Sequence, residues 1–130
     1  MSVWATVLLF SAASLPAMGE PVAVPSGMEV TFHDVVREEP VGTGPIYRFR
    51  FVAPEIGGDS PRAHSDVSGD MDRLCQDYAL PRLPEVGPPP SRVLISLMEV
   101  PVEFGVASPE IAQYFEAYSI GDDRCIWEAF

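Results

Sequence analysis

Two segments near the start of the chain alternate between apolar and polar residues, which is the pattern of a β-strand with one buried face. In residues 28–36 the apolar side chains fall on alternate positions, interrupted by Asp34. In residues 46–53 aromatic side chains share one face, while Arg48 and Arg50 share the other. A short loop rich in Gly and Pro joins the two segments, which predicts an antiparallel hairpin.

Residues 66–78 change to the period of an α-helix. The apolar side chains recur at i, i+4, i+7, i+8 and i+11, which predicts one buried stripe on a helix. Leu80 and Pro81 are predicted to end that helix, because proline cannot continue it. Residues 81–91 hold a run of prolines and are predicted to form an extended connector back to the sheet.

The last third of the chain contains further strand-like segments and one helix-start signature, Ser108-Pro109-Glu110, which predicts one or two turns of helix. The predicted strands are residues 92–98, a short piece at 102–104, residues 114–120 and residues 124–130. These elements predict an α+β fold, with a largely antiparallel sheet of about five strands and one main helix on one face.

The first nineteen residues carry no ionisable side chain and contain an apolar run from Val3 to Phe10. Ala17-Met18-Gly19 places small residues where a signal peptidase requires them, which predicts cleavage before Glu20. The alternative is an uncleaved anchor, but the apolar run is shorter than the roughly 20 residues of a spanning helix. The prediction is therefore a signal peptide at 1–19, a single acidic domain at 20–130, and a periplasmic or secreted location.

The cysteine count agrees with export. Cys75 and Cys125 are the two cysteines of the chain, and an even count behind an export signal predicts one disulfide in an oxidising compartment. Since Cys75 lies on the predicted helix and Cys125 on the last strand, the bridge would join the two layers. The alternative of a reactive or metal-binding thiol pair lacks the C-x-x-C spacing and an adjacent His.

Charge excludes several functions. The chain has 19 acidic residues and 8 basic ones, a net charge of −11, and every basic residue is Arg. A Schiff-base enzyme and a P-loop both require Lys, and an acidic chain repels nucleic acid. No nucleotide-binding or nucleophile motif occurs either, so we expect no cofactor and no nucleic-acid partner.

Two histidines, His33 and His64, are the weak candidates for acid–base chemistry or metal binding. Each has an aspartate close in sequence, Asp34 and Asp66, but their spacing matches no metal-ligand motif. Solvated or helix-capping histidines are the simpler interpretation.

A partner-binding surface is the second candidate site, because one helix has to cover about five strands. If some strand faces stay uncovered, exposed apolar side chains with Arg would mark an interface. The residues predicted to form it are Arg48, Arg50, Tyr114, Tyr118 and Ile126.

Three stretches, residues 48–54, 74–82 and 125–130, together with the exported start, carry a family resemblance. The chain resembles a family of short exported alphaproteobacterial proteins catalogued as a domain of unknown function. The resemblance covers nearly the whole mature chain and implies a compartment and a single-domain unit, but no activity.

The sequence therefore predicts a non-enzymatic binding or accessory module of an envelope complex. The alternative is a small periplasmic hydrolase or metal-binding protein that uses His33, His64 and nearby carboxylates.

Overall fold

A computed structural model describes residues 19–129 of the chain. Apart from Gly19, the predicted signal peptide lies outside these residues. The described part confirms the α+β fold, with five strands in the spatial order β1-β2-β3-β4-β5. The strands are β1 (Thr31–Glu38), β2 (Ile46–Val52), β3 (Arg92–Met98), β4 (Gln113–Gly121) and β5 (Arg124–Glu128).

Neighbouring strands are antiparallel except β2 and β3, which are parallel. Parallel neighbours need a long crossover, and here it is the main helix, α1 (residues 64–86), between β2 and β3. A short 3₁₀ turn at Pro54–Ile56 precedes the helix. We call the side of the sheet that packs against α1 the covered face and the other side the open face.

The predicted hairpin of β1 and β2 is confirmed, but the alternation along β1 changes at a β-bulge between Phe32 and Asp34. Phe32 is buried on the covered face, whereas Asp34 lies beside Arg50 on the open face. The sequence prediction placed both on one face, because strict alternation has no place for the extra residue of a bulge.

Helix α1 has three sections: an α-helical section His64–Arg73, a π-helical section Leu74–Ala79 and a final α-helical section Leu80–Val86. The prediction that Pro81 ends the helix is wrong. In the π-helical section the N–H of Leu80 donates to the C=O of Cys75, five residues back. Pro81 thus falls in the first turn of the next section, where a missing N–H is tolerated.

The core lies between α1 and the covered face. Phe32, Phe51 and Tyr78 form an aromatic cluster with ring centroids 5.3–5.8 Å apart. The predicted disulfide between Cys75 and Cys125 is confirmed and joins the π-helical section to β5, with the Cα atoms 6.2 Å apart. Within residues 19–129, no helix is long and apolar enough to span a membrane.

Residues 99–112 form a loop rather than the predicted strand at 102–104 and the predicted helix after Ser108. Glu99 and Ala112 close the base of the loop by a backbone hydrogen bond of 3.0 Å, and a turn bond from Ile111 N–H to Ser108 C=O is all that forms at the helix-start signature. The loop contacts the open face through Val102 and Phe104 instead of pairing with a strand edge.

Candidate partner-binding surface

Arg50 holds the loop against the open face. Its Nε and Nη2 atoms each donate to a carboxylate oxygen of Asp34 at 2.6 Å, and its Nη1 donates to the C=O of Val102 at 2.8 Å. A guanidinium paired in this two-pronged way has most of its donors satisfied. Because only 6% of Arg50 is exposed, this residue lies beneath the surface, where it holds the loop in position and has little area for contact with a partner.

Arg48 lies two residues before Arg50, on the same face of β2, and contacts two aromatic rings. The rings of Phe104 and Phe115 lie 5.6 and 6.0 Å from its guanidinium carbon, within the range of cation–π contact. Its Nη1 donates to Ser96 Oγ at 3.1 Å, and its buried Nε faces Glu38 Oε2 at 3.5 Å. Arg48 therefore fixes two phenylalanines whose other sides meet solvent.

These phenylalanines are 44% and 55% exposed, and Ile126 on β5 is 49% exposed. Ile126 lies on the same face as Phe115, since it is paired with Ser119 on β4, four residues beyond Phe115. We call Arg48, Phe104, Phe115 and Ile126 the open-face patch. Apolar side chains grouped in this way on one face are typical of an interaction surface.

Tyr114 and Tyr118 lie on the covered face, away from the open-face patch. Tyr118 is 1% exposed, and its hydroxyl donates to Asp72 Oδ1 at 2.7 Å. Burial and this carboxylate raise the pKa of Tyr118 well above its ordinary value. The Tyr114 hydroxyl donates to the C=O of Arg62 at 2.8 Å. The structure thus divides the five residues predicted for the surface between two faces, because α1 packs over the tyrosine side of β4.

Strand β5 is held by the π-helical section in two ways. Besides the disulfide, the side-chain amide of Gln76 bonds the β5 backbone: its Oε1 accepts the Cys125 N–H at 3.0 Å and its Nε2 donates to the Asp123 C=O at 3.2 Å. Trp127, on the covered side of β5, is 56% exposed. A cleft of about 490 Å³ lies between α1 and β5, with Asp72, Gln76 and Trp127 among its walls.

His33 lies on β1, whereas His64 is the first residue of α1. His33 Nε2 is 4.0 Å from Asp34 on β1, whereas His64 Nε2 is 2.7 Å from Glu116 Oε1 on β4. Because β2 and β3 lie between β1 and β4, the two strands whose carboxylates the histidines contact are roughly 14 Å apart. Among residues 19–129, no group of three or more His, Cys, Asp or Glu side chains is placed to hold a metal ion.

A family model covers residues 7–130, almost the whole chain, and its description is a family of unknown function, DUF6497. The chain belongs to DUF6497. No curated protein and no solved structure matches this DUF6497 chain significantly.

Sequence reasoning missed three residues that shape the surface of this DUF6497 chain: Phe104, Phe115 and Gln76. Phe115 shares the open face because it is paired with Ser96, and the face alternation within residues 114–120 was the available signal. Phe104 and Gln76 act through contacts with residues distant in sequence, which no local pattern contains.

Proposed function

We propose that this protein is an exported, non-enzymatic module that binds a protein partner in the cell envelope. The observation that carries the proposal is the open-face patch, where apolar side chains are about half exposed on the sheet face that no helix within residues 19–129 covers. The net charge of −11 favours a partner that surrounds an apolar contact with basic residues.

Export is supported by the uncharged apolar start of the sequence and by the disulfide. Disulfides persist in oxidising compartments and are rare in the cytosol of mesophiles. A cleaved leader would leave Glu20 as the first residue. The bond from Phe32 N–H to Glu20 C=O would remain, and the bond from Gly19 N–H to Phe32 C=O would be removed with the leader.

Fractionation of cells that make the full chain tests the export step. We expect the protein in the periplasmic or secreted fraction, with Glu20 as its first residue by N-terminal sequencing. The matched control lacks residues 3–10 and should stay in the cytoplasm with its leader uncleaved. Recovery of the unaltered chain in the cytoplasm with its first residues intact would contradict export.

Crosslinking in envelope extracts tests the binding step through its dependence on the open-face patch. Phe115→Ser and Ile126→Ser should each reduce the yield of the crosslinked partner at least about fivefold, because they remove apolar contact area. Val41→Ser is the matched control, since Val41 is fully exposed in the loop between β1 and β2, outside the patch. An equal yield from all the variants would contradict binding through this face.

A further inference from the structure

Among the described residues, β5 is an edge strand, paired with β4 alone. The hairpin turn between them is Asp122-Asp123, and both residues have positive φ, the conformation of a two-residue type I′ turn. Such a turn makes Gly121 and Arg124 a hydrogen-bonded pair. The backbone groups of alternate residues then point outward, so Cys125 and Trp127 present their N–H and C=O groups to the free edge.

Gln76 confirms which groups point outward, because its side-chain amide bonds Asp123 C=O and Cys125 N–H. The amide takes the place of a neighbouring strand at the turn end of β5. Further along the edge, within residues 19–129, no hydrogen bond is made by the outward N–H and C=O of Trp127. The edge is therefore capped at one end and open at the other.

The side chains that flank the open part of the edge are exposed and oriented. Trp127 lies on the covered side and Ile126 on the open side, and each is about half exposed. The indole N–H of Trp127 donates to Glu116 Oε2 at 2.5 Å, and the other oxygen of that carboxylate contacts His64. A strand placed beside β5 would bury both side chains without moving Gln76.

The charges around this edge are mostly negative. Asp122, Asp123, Asp72 and Glu128 are close to it in the fold, whereas Arg124 is the one basic residue of β5. Arg73, on the helix side, is already paired with Asp77. A second copy of this chain would bring the same acidic excess, so charge complementarity favours a basic segment from a different protein.

We propose that the free edge of β5 binds an extended, basic segment of a partner protein, which adds to the sheet as a sixth strand through the backbone of Trp127. This inference rests on the proposed partner-binding function and names the mode and the chemistry of that binding. Backbone hydrogen bonds supply the affinity of such strand addition, and the flanking side chains supply selectivity.

Tryptophan fluorescence gives a direct test, because the chain has two tryptophans and Trp4→Phe leaves Trp127 alone. The probe is a capped seven-residue peptide of alternating Val and Lys, titrated into the full chain with Trp4→Phe. We expect a saturable change in Trp127 emission. A matched Val and Glu peptide should bind at least about tenfold more weakly, because its charges repel the edge.

N-methylation of the peptide separates strand addition from simple charge attraction. In a paired strand only alternate N–H groups face the neighbour. One peptide is therefore methylated at the Val nitrogens and another at the Lys nitrogens, and we expect one of them to lose binding and the other to keep it. Equal binding by both, loss by both, or no binding by the unmethylated peptide would overturn the proposal.

Two further outcomes are distinguishable. If Trp127 emission changes with protein concentration in the absence of peptide and the chain dimerises, the edge pairs with a second copy and the basic partner segment is rejected. If none of the peptides binds while Phe115→Ser still reduces the crosslinking yield, strand addition is rejected and partner binding through the open-face patch stands.

Discussion

The two edges of the sheet are completed in different ways. Residues 19–22 run beside the start of β1, where Gly19 N–H donates to Phe32 C=O at 2.7 Å and Phe32 N–H donates to Glu20 C=O at 2.8 Å. At β5 a single side chain, Gln76, replaces a neighbouring strand over part of the edge. Within residues 19–129 the chain thus covers the start of β1 with its own backbone, whereas at β5 it covers the turn end with a side chain and leaves the backbone groups of Trp127 open.

The means of attachment differ as well. β1 is joined to its surroundings by hydrogen bonds and the Asp34–Arg50 pair, while β5 is joined to α1 by a covalent bond. A strand that is held firmly and still has an open edge can receive another strand without first being ordered, which lowers the cost of binding.

Removal of the disulfide should have the largest effect. The bridge joins residues 50 apart, and cross-linking a loop of that size stabilises a domain by about 4 kcal/mol in the chain-entropy treatment. The double variant Cys75→Ala with Cys125→Ala should lose up to that amount in urea unfolding. Amide exchange should also rise more in β5 than in β1. Equal increases in amide exchange in β1 and β5 would contradict the view that the disulfide specifically holds β5 in position.

Arg50→Ala should act at the opposite side of the sheet. It removes the bonds to Asp34 and to the Val102 C=O, and loss of a largely buried charged partner is expected to cost about 2 kcal/mol. Urea unfolding measures the change. Arg62→Ala is the matched control, since the Arg62–Glu55 pair is far more exposed and its loss should destabilise the protein less than the loss of Arg50. Equal losses from the two variants would show that Arg50 does not anchor the loop.

Gln76→Ala should uncap β5 while leaving the disulfide intact. Loss of two hydrogen bonds from a partly exposed side chain predicts a decrease of about 1 kcal/mol in the free energy of unfolding. The Cys125 amide should lose protection against hydrogen exchange, and the Phe32 amide on β1 should keep it. Arg73→Ala, which removes an exposed pair one helical turn away, should leave the Cys125 amide protected.

The smallest effect at neutral pH concerns two of the buried tyrosines, Tyr118 near β5 and Tyr78 near β1. Burial is the main cause that raises the pKa of each, and Asp72 and Glu20 add to it. The folded protein therefore keeps protons on these tyrosines that the unfolded chain releases near pH 10. The contribution of the two tyrosines to stability is fully present below about pH 10 and is lost as the pH rises further. Tyr118→Phe should weaken this alkaline loss in urea unfolding, and an unchanged pH profile would contradict the assignment.

Much of the fold follows from local patterns. Alternation predicted the β1–β2 hairpin, helical spacing predicted the first part of α1, and the cysteine count predicted the disulfide. The bulge after Phe32 and the loop at residues 99–112 involve contacts between distant residues, which local spacing does not contain. The π-helical section has a backbone bond that spans five residues, whereas the helix-end prediction assumed the regular α-helical spacing.

The candidate site was predictable only in part. Arg48 and Ile126 follow from alternation, and both lie in the open-face patch. The prediction places Tyr114 and Tyr118 on the same surface, whereas both lie on the covered face. Their exposure depends on where α1 crosses the sheet, and the sequence does not specify which face of β4 that helix covers.

Hydrogen exchange at single amides tests the difference between the two edges most directly. In the free protein we expect slow exchange at Phe32, whose N–H bonds to Glu20, and at Cys125, whose N–H bonds to Gln76, with fast exchange at Trp127. Saturation with the Val and Lys peptide should slow hydrogen exchange at the Trp127 amide and leave the exchange rate of the Phe32 amide unchanged. A Trp127 amide that is already protected in the free protein, or that still exchanges fast with peptide bound, would contradict an open, strand-accepting edge at β5.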